Sequence, residues 1–186
     1  MSAIRHRVWI AVGAVALMQS VMLGAMVWNR IQLLTHGREV VLPIIPVDPR
    51  SLFRGDYVQL SYDVSRVPGR LLEGGLPRGA TVYVSVARAP DGAWTPIKAA
   101  AMHDSAGGAD SVVLKGRVES GGSDGRDALV RYGIESYFVP EGKGRELEAL
   151  AGDKKLAAVV AVDARGNAAI KGLMIDGKRV YEEPLF

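Results

Sequence analysis

A run of 21 uncharged residues, Val8–Trp28, lies close to the N-terminus. At about 1.5 Å per residue, an α-helix of this length spans about 30 Å, which is the thickness of the hydrocarbon core of a bilayer. Trp9 and Trp28 stand at the two ends of the run, where indole rings favour the headgroup layer. The run therefore predicts a single transmembrane helix.

The charges around this run predict its orientation. Arg5 and Arg7 precede it, and basic residues hold their flank of a membrane span in the cytoplasm. We expect residues 1–30 to form a cytoplasmic N-terminus and an inner-membrane anchor, and residues 31–186 to form one periplasmic domain. The alternative is a cleaved signal peptide. The run is longer than the roughly 7–15 apolar residues of such a peptide, and its end, LGAMVWN, lacks a small-x-small cleavage pattern.

Composition excludes several classes of function. The chain has no cysteine, which excludes thiol nucleophiles, disulfides and iron–sulfur or zinc–thiolate sites. His6, His36 and His103 lack the close spacing with which two imidazoles share a metal, so we expect no metal and no cofactor. Three of the 23 basic residues lie in the first 30 positions, and the other 20 are interspersed with 20 acids. No long basic face is left for a nucleic acid.

The chain beyond the anchor has the patterns of β-structure. Apolar and polar residues alternate in residues 57–64 and 81–88, which predicts two strands, and we expect them in one sheet. Further predicted strands are residues 94–100, 111–120, 128–139 and three segments near the C-terminus, the last two joined by the hairpin turn Asp176-Gly177. Residues 40–50 carry three prolines and predict an edge strand or an extended arm.

These elements together predict the fold class. Residues 140–150 are rich in helix formers after a glycine-containing entry, which predicts one short helix. We therefore expect a mainly β protein, in which the transmembrane helix is followed by an antiparallel β-sandwich or partly open β-barrel.

Residues 47–62, VDPRSLFRGDYVQLSY, are the most distinctive segment. Gly55 before a strand suits a turn with positive φ, and Asp56 can accept backbone N–H groups or pair with Arg50 or Arg54.

The strand that follows this turn has two faces. Leu60 and Tyr62 share a face with Val58 and are expected in the core, with the tyrosine hydroxyl bonded at its rim, whereas Tyr57 faces the other way. A turn and a strand need these residue types without any ligand, so a structural role competes with a binding role.

Residues 55–62 fit the pattern GDYxxLxY in full, and the segment resembles the GDYXXLXY family of bacterial membrane-anchored proteins. Residues 131–144, RYGIESYFVPEGKG, are also similar to that family. The resemblance implies an N-terminal membrane segment and a multi-pass membrane partner, because members tend to be encoded beside such proteins. The candidate site residues, structural or binding, are Asp48, Pro49, Arg50, Arg54, Gly55, Asp56, Tyr57, Leu60, Tyr62, Glu135, Tyr137 and Phe138.

The function predicted from these features is a non-enzymatic external β-domain that assembles with or regulates an integral membrane partner. Gly13, Gln19, Ser20 and Gly24 within the anchor support a helical partner, because small and polar residues let helices approach closely in lipid.

Two alternatives remain open. The first is a hydrolase similar to serine–lysine signal peptidases, whose nucleophile position is occupied here by Val47, although Ser51 with Lys98 or Lys115 could take those roles. The second is a domain that binds a cell-envelope ligand.

Overall fold

The computed structural model describes residues 2–45, 57–72, 75–90, 92–103, 110–122, 125–138 and 156–182. One long helix, α1 (Ser2–His36), precedes the β-structure. The strands within the described residues are β1 (Arg38–Ile45), β2 (Tyr57–Gln59), β3 (Ser61–Tyr62), β4 (Arg66–Val67), β5 (Thr81–Arg88), β6 (Trp94–Ala100), β7 (Ser111–Gly121), β8 (Ala128–Arg131), β9 (Ser136–Phe138), β10 (Leu156–Val162), β11 (Ala168–Ile175) and β12 (Lys178–Glu182).

The strands form two five-stranded sheets and one small pair, and every pairing between them is antiparallel. The first sheet has the order β12-β11-β10-β1-β3, the second β4-β8-β7-β5-β6, and β2 pairs with β9. Leu42 and Val160 from the first sheet share one apolar core with Val84 and Leu114 from the second. This confirms the predicted mainly β fold with antiparallel sheets behind one apolar N-terminal helix.

Helix α1 is long and apolar enough to cross a membrane. Its segment Arg7–His36 contains a window with a mean hydropathy of 2.0, and no part of that window is buried within the protein.

The end of α1 packs against β10 and β11. This contact explains why β10 is buried along almost its whole length: alternate residues face the common core, while Val159 and Ala161, both fully buried, face the other side. Leu34 of α1 is only 2% exposed, so the helix and the sheet bury each other's apolar surface.

Several predicted strands are confirmed at their residues. The structure places β5 at Thr81–Arg88 and β6 at Trp94–Ala100, and Asp176 and Gly177 both have positive φ, at 48° and 77°, as a type I′ turn requires. The predicted helix over residues 140–150 lies outside the described residues.

The prediction that residues 40–50 form an edge strand or an arm is only partly right where the structure describes them. Strand β1 stands between β10 and β3 in the order of the strands, but the printed register pairs Arg38–Pro43 with β10 and only Ile44–Ile45 with β3. Pro43 stands where the pairing changes from one neighbour to the other, so its missing N–H falls at the changeover.

Two longer predicted strands are interrupted. Residues 57–64 divide into β2 and β3 and then enter a 3-10 turn at Asp63–Ser65, and neither strand belongs to the sheet of β5, so the expectation of one common sheet is also wrong. Residues 128–139 divide into β8 and β9 because Gly133, with φ of 81°, bends the chain between them.

Candidate functional site

The two segments with distinctive sequences, residues 47–62 and 131–144, meet in the fold. Strand β2 pairs with β9, so that Tyr57 lies opposite Phe138 and Val58 opposite Tyr137. The pairing continues past β2, where the backbone N–H of Leu60 donates to the carbonyl of Glu135 at 2.8 Å. The described parts of both segments therefore form one structural unit.

Two buried tyrosines exchange hydrogen bonds across this unit. The Tyr62 hydroxyl donates to the carbonyl of Ile134, and the Tyr132 hydroxyl donates to the carbonyl of Val64, each at 2.7 Å. Burial, and after it the negative charge of Glu135, raises the pKa of both hydroxyls far above the ordinary value of 10.0. Both groups therefore stay protonated and act as donors.

Glu135 closes the bend between β8 and β9. The residue is 9% exposed, and its carboxylate accepts hydrogen bonds from the backbone N–H groups of Tyr132 at 2.6 Å and Gly133 at 2.9 Å. The Arg131 guanidinium lies 4.0 Å away and supplies a partly exposed counter-charge. Both carboxylate oxygens are thus used to hold the bend in place.

The other candidate residues divide into two groups. Leu60 and Tyr62 are buried, at 2% and 1% exposure, as the alternation predicts, and Tyr137 is also buried. Six other candidates of this motif segment lie outside the described residues, and so does Ser51: Asp48, Pro49, Arg50, Arg54, Gly55 and Asp56. The pairing of Asp56 with an arginine therefore stays a prediction. For Tyr57 and Phe138 the structure describes only the backbone.

The paired motif segments lie at the end of the domain away from α1. Strand β1 begins at Arg38, next to the helix, and ends at Ile45, which pairs with Ser61 just after β2. Eight residues at about 3.3 Å each carry the strand about 25 Å from the helix end. The motif segments and the end of α1 therefore lie at opposite ends of β1.

The GDYXXLXY protein family matches the chain over residues 19–173, which includes both motif segments and the end of α1. This chain belongs to the GDYXXLXY family. No curated protein and no solved structure matches it. Leu60 and Tyr62 of the motif both pack in the hydrophobic core, and the Tyr62 hydroxyl also donates a hydrogen bond to the backbone.

Tyr132 was not among the residues that the sequence predicted for the site. Tyr132 lies in the predicted strand 128–139 on the same face as Val130, and this alternation was the signal for its burial. Its bond to Val64 joins residues 68 positions apart, which no local pattern reveals.

The hydrolase alternative stays a hypothesis, because Ser51 lies outside the described residues. Lys115 points out from β7 and is exposed, whereas a lysine base needs a desolvated site. The described residues also include no group of three His, Asp or Glu side chains placed to hold a metal.

Proposed function

We propose that this protein is a membrane-anchored β-domain that assembles with, or regulates, an integral membrane partner. The observation that carries the proposal is the junction between helix and sheet. Helix α1 ends at His36 and β1 begins at Arg38, so a single residue, Gly37, connects them. A domain that needs only a tether would be compatible with a long flexible linker, whereas this junction is short and packed.

The packing at the junction holds the helix in one orientation. The N–H of Gly37 donates to the carbonyl of Leu33 at 3.0 Å, and a Cβ at Gly37 would come within 2.4 Å of that carbonyl and 3.0 Å of Ala161 Cβ. Leu34 is buried on the sheet beside it. A tilt or rotation of the helix is therefore passed to β10 and β11, which is what a regulatory contact in the membrane requires.

One face of the helix suits a close contact with another helix. Gly13, Ala16, Ser20 and Gly24 are separated by three, four and four positions, so they lie on one side of α1. A Cβ at Gly13 or Gly24 would meet no protein atom within 4 Å, and the Ser20 hydroxyl is already bonded to the carbonyl of Ala16 at 2.9 Å. This small-residue face is open to a partner.

The small-residue face lies on the same side of α1 as the residue that packs against the β-domain. Continuing by steps of three or four residues, the small-residue face leads through Val27 and Ile31 to Leu34, which is buried against the sheet. A partner helix docked on the small-residue face would therefore lie beneath the β-domain and could contact both.

The proposed location follows the charges at the N-terminus. Arg5 and Arg7 precede the apolar run, and this basic flank supports a cytoplasmic start of α1, a span in the inner membrane and a periplasmic β-domain. The proposed partner is a multi-pass membrane protein of the kind beside which members of this family tend to be encoded.

A pair of matched substitutions tests the proposal. Ala16→Leu adds bulk to the small-residue face, while Ala25→Leu makes the same change on another side of the helix. After solubilisation in mild detergent, we expect Ala16→Leu to lower the amount of the neighbouring multi-pass protein that copurifies by about tenfold, and Ala25→Leu to leave it unchanged. Equal copurification with both variants would contradict recognition through this face.

A further inference from the structure

A cleft of about 700 Å³ lies beside the junction, between the end of α1 and the turn that joins β10 to β11. Asn29, Gln32, Leu33 and His36 line it from the helix, and each is three or four positions from two of the others, so all four lie on one face. Leu33 contributes to an apolar floor with Val112 of β7 and Val162 of β10. The cleft thus combines a polar helix face with an apolar base.

The rim of this cleft is basic. Arg38, Arg165, His36 and His103 all line the cleft and are exposed. The Arg38 guanidinium donates through Nη1 to the carbonyl of Ser111 at 2.9 Å, which holds the arginine against the cleft wall. Two guanidinium groups with nearby imidazoles form a donor set suited to a phosphate group.

Among the described residues the lining contains one acidic residue, Asp163, whose oxygens are hydrogen-bonded within its own turn. Asp163 Oδ1 accepts from the backbone N–H groups of Arg165 and Asn167, and Oδ2 accepts from the Asn167 side chain, each at 2.8 Å. The carboxylate keeps its negative charge, and two guanidinium groups against one carboxylate leave the described lining with a net positive charge.

The cleft lies at the depth of lipid headgroups if α1 crosses the membrane. Trp28 marks the end of the apolar run, and the lining of the cleft begins at the next residue, Asn29. The headgroup region extends about 5–7 Å beyond the hydrocarbon on each side, and a helix rises about 1.5 Å per residue. The helix segment from Asn29 to Leu33 falls within that layer, and the long side chains of the arginines above it can extend toward a phosphate there.

We propose that this cleft binds the phosphate of an anionic phospholipid, with the guanidinium groups of Arg38 and Arg165 on the phosphate oxygens and the lipid's glycerol region over the apolar floor. The inference rests on the membrane anchoring in the proposed function and adds a lipid-binding site to it. A bound headgroup would bridge α1 and the β10–β11 turn and so fix the height of the domain above the bilayer.

The test uses the full chain in nanodiscs of phosphatidylcholine that contain a minority of phosphatidylglycerol. Native mass spectrometry after release from the disc counts the lipid that stays bound. We expect phosphatidylglycerol to be retained at least fivefold above its share of the disc. The variant Arg38→Gln with Arg165→Gln should abolish this enrichment.

The control variant, Arg78→Gln with Arg117→Gln, removes the same charge from exposed arginines that do not line the cleft, and it should keep the enrichment. Raising the salt concentration with the wild-type chain provides a second measurement without mutation, and it should weaken the preference. Equal enrichment in both double variants would overturn the proposal. So would displacement of the lipid by millimolar inorganic phosphate, which would indicate a site for free phosphate.

The same preparation separates this inference from the proposed function. A chain that does not insert into the nanodisc contradicts both the anchoring and the cleft proposal. Insertion without any preference for phosphatidylglycerol contradicts the lipid site alone, and the partner proposal then rests on its own copurification test.

Discussion

The hydroxyl of Tyr62 donates a 2.7 Å hydrogen bond to the backbone carbonyl of Ile134, which lies 72 positions further along the chain. This bond joins the final tyrosine of the GDYXXLXY motif to the bend between β8 and β9. Tyr132 makes the reciprocal bond from that bend to Val64, so each segment supplies both a donor and an acceptor. The described end of the motif is therefore a structural tie between distant segments.

Tyr62→Phe should lower the free energy of unfolding by about 1–2 kcal/mol, because the Ile134 carbonyl loses its partner while remaining buried. Chemical denaturation of the full chain in detergent measures the change. Tyr83→Phe is the matched control, since Tyr83 lies in β5 and its ring contacts His103 edge-on. Equal effects of the two substitutions would show that the bond to Ile134 does not stabilise the fold.

The raised pKa values of Tyr62 and Tyr132 predict a loss of stability at alkaline pH. Below pH 10 both hydroxyls keep their protons in the folded and unfolded states. Above pH 10 the unfolded chain releases protons that the folded chain holds, so stability falls by up to about 1.4 kcal/mol per pH unit for each tyrosine. Tyr62→Phe should halve this contribution in denaturation curves between pH 9 and 11.5. An unchanged slope would contradict the burial of this hydroxyl.

Glu135→Gln should destabilise the domain by about 1–3 kcal/mol. A carboxylate accepts from both the Tyr132 and Gly133 N–H groups, whereas an amide offers one acceptor oxygen and turns its NH2 group toward the other donor. Glu119→Gln is the control, because Glu119 is an exposed partner of Arg131 at 3.7 Å and such pairs contribute at most about 1 kcal/mol. A loss at Glu119 as large as at Glu135 would be inconsistent with the closed bend.

The orientation of the chain can be measured with reporters. A reporter that is active only in the periplasm should be active when fused after Phe186 and inactive when fused before Val8, as the basic flank formed by Arg5 and Arg7 predicts. A purified protein that begins near residue 25 would instead demonstrate cleavage of the span.

Local patterns predicted the strands whose partners lie nearby in the chain. The alternation in Thr81–Arg88 and the Asp176-Gly177 turn are encoded in a few adjacent residues, and the structure reproduces both. The position of β1 could not be predicted in this way, because it depends on pairing Arg38 with Val162, at the far end of the sequence. The prolines in that segment favoured an edge, yet Pro43 is accommodated where the pairing changes.

The sequence predicted the candidate site as two separate motifs, but it did not predict that the two motifs are in contact. Glu135 was identified with its segment, but its role depends on the bend at Gly133, which divides a segment that alternates like one strand. The cleft beside α1 escaped prediction for a similar reason. Arg38 and Arg165 are ordinary surface residues in the sequence and become neighbours only when β1 packs beside β10.

Replacing residues 1–28 by an unrelated single span of the same orientation tests the central claim most directly. The exchange keeps Asn29–His36, and with them the packing of Leu34 on the sheet. The β-domain should then unfold at an unchanged temperature while the neighbouring multi-pass protein no longer copurifies. Full retention of that partner with the foreign span would contradict recognition within the membrane and show that α1 serves only as a tether.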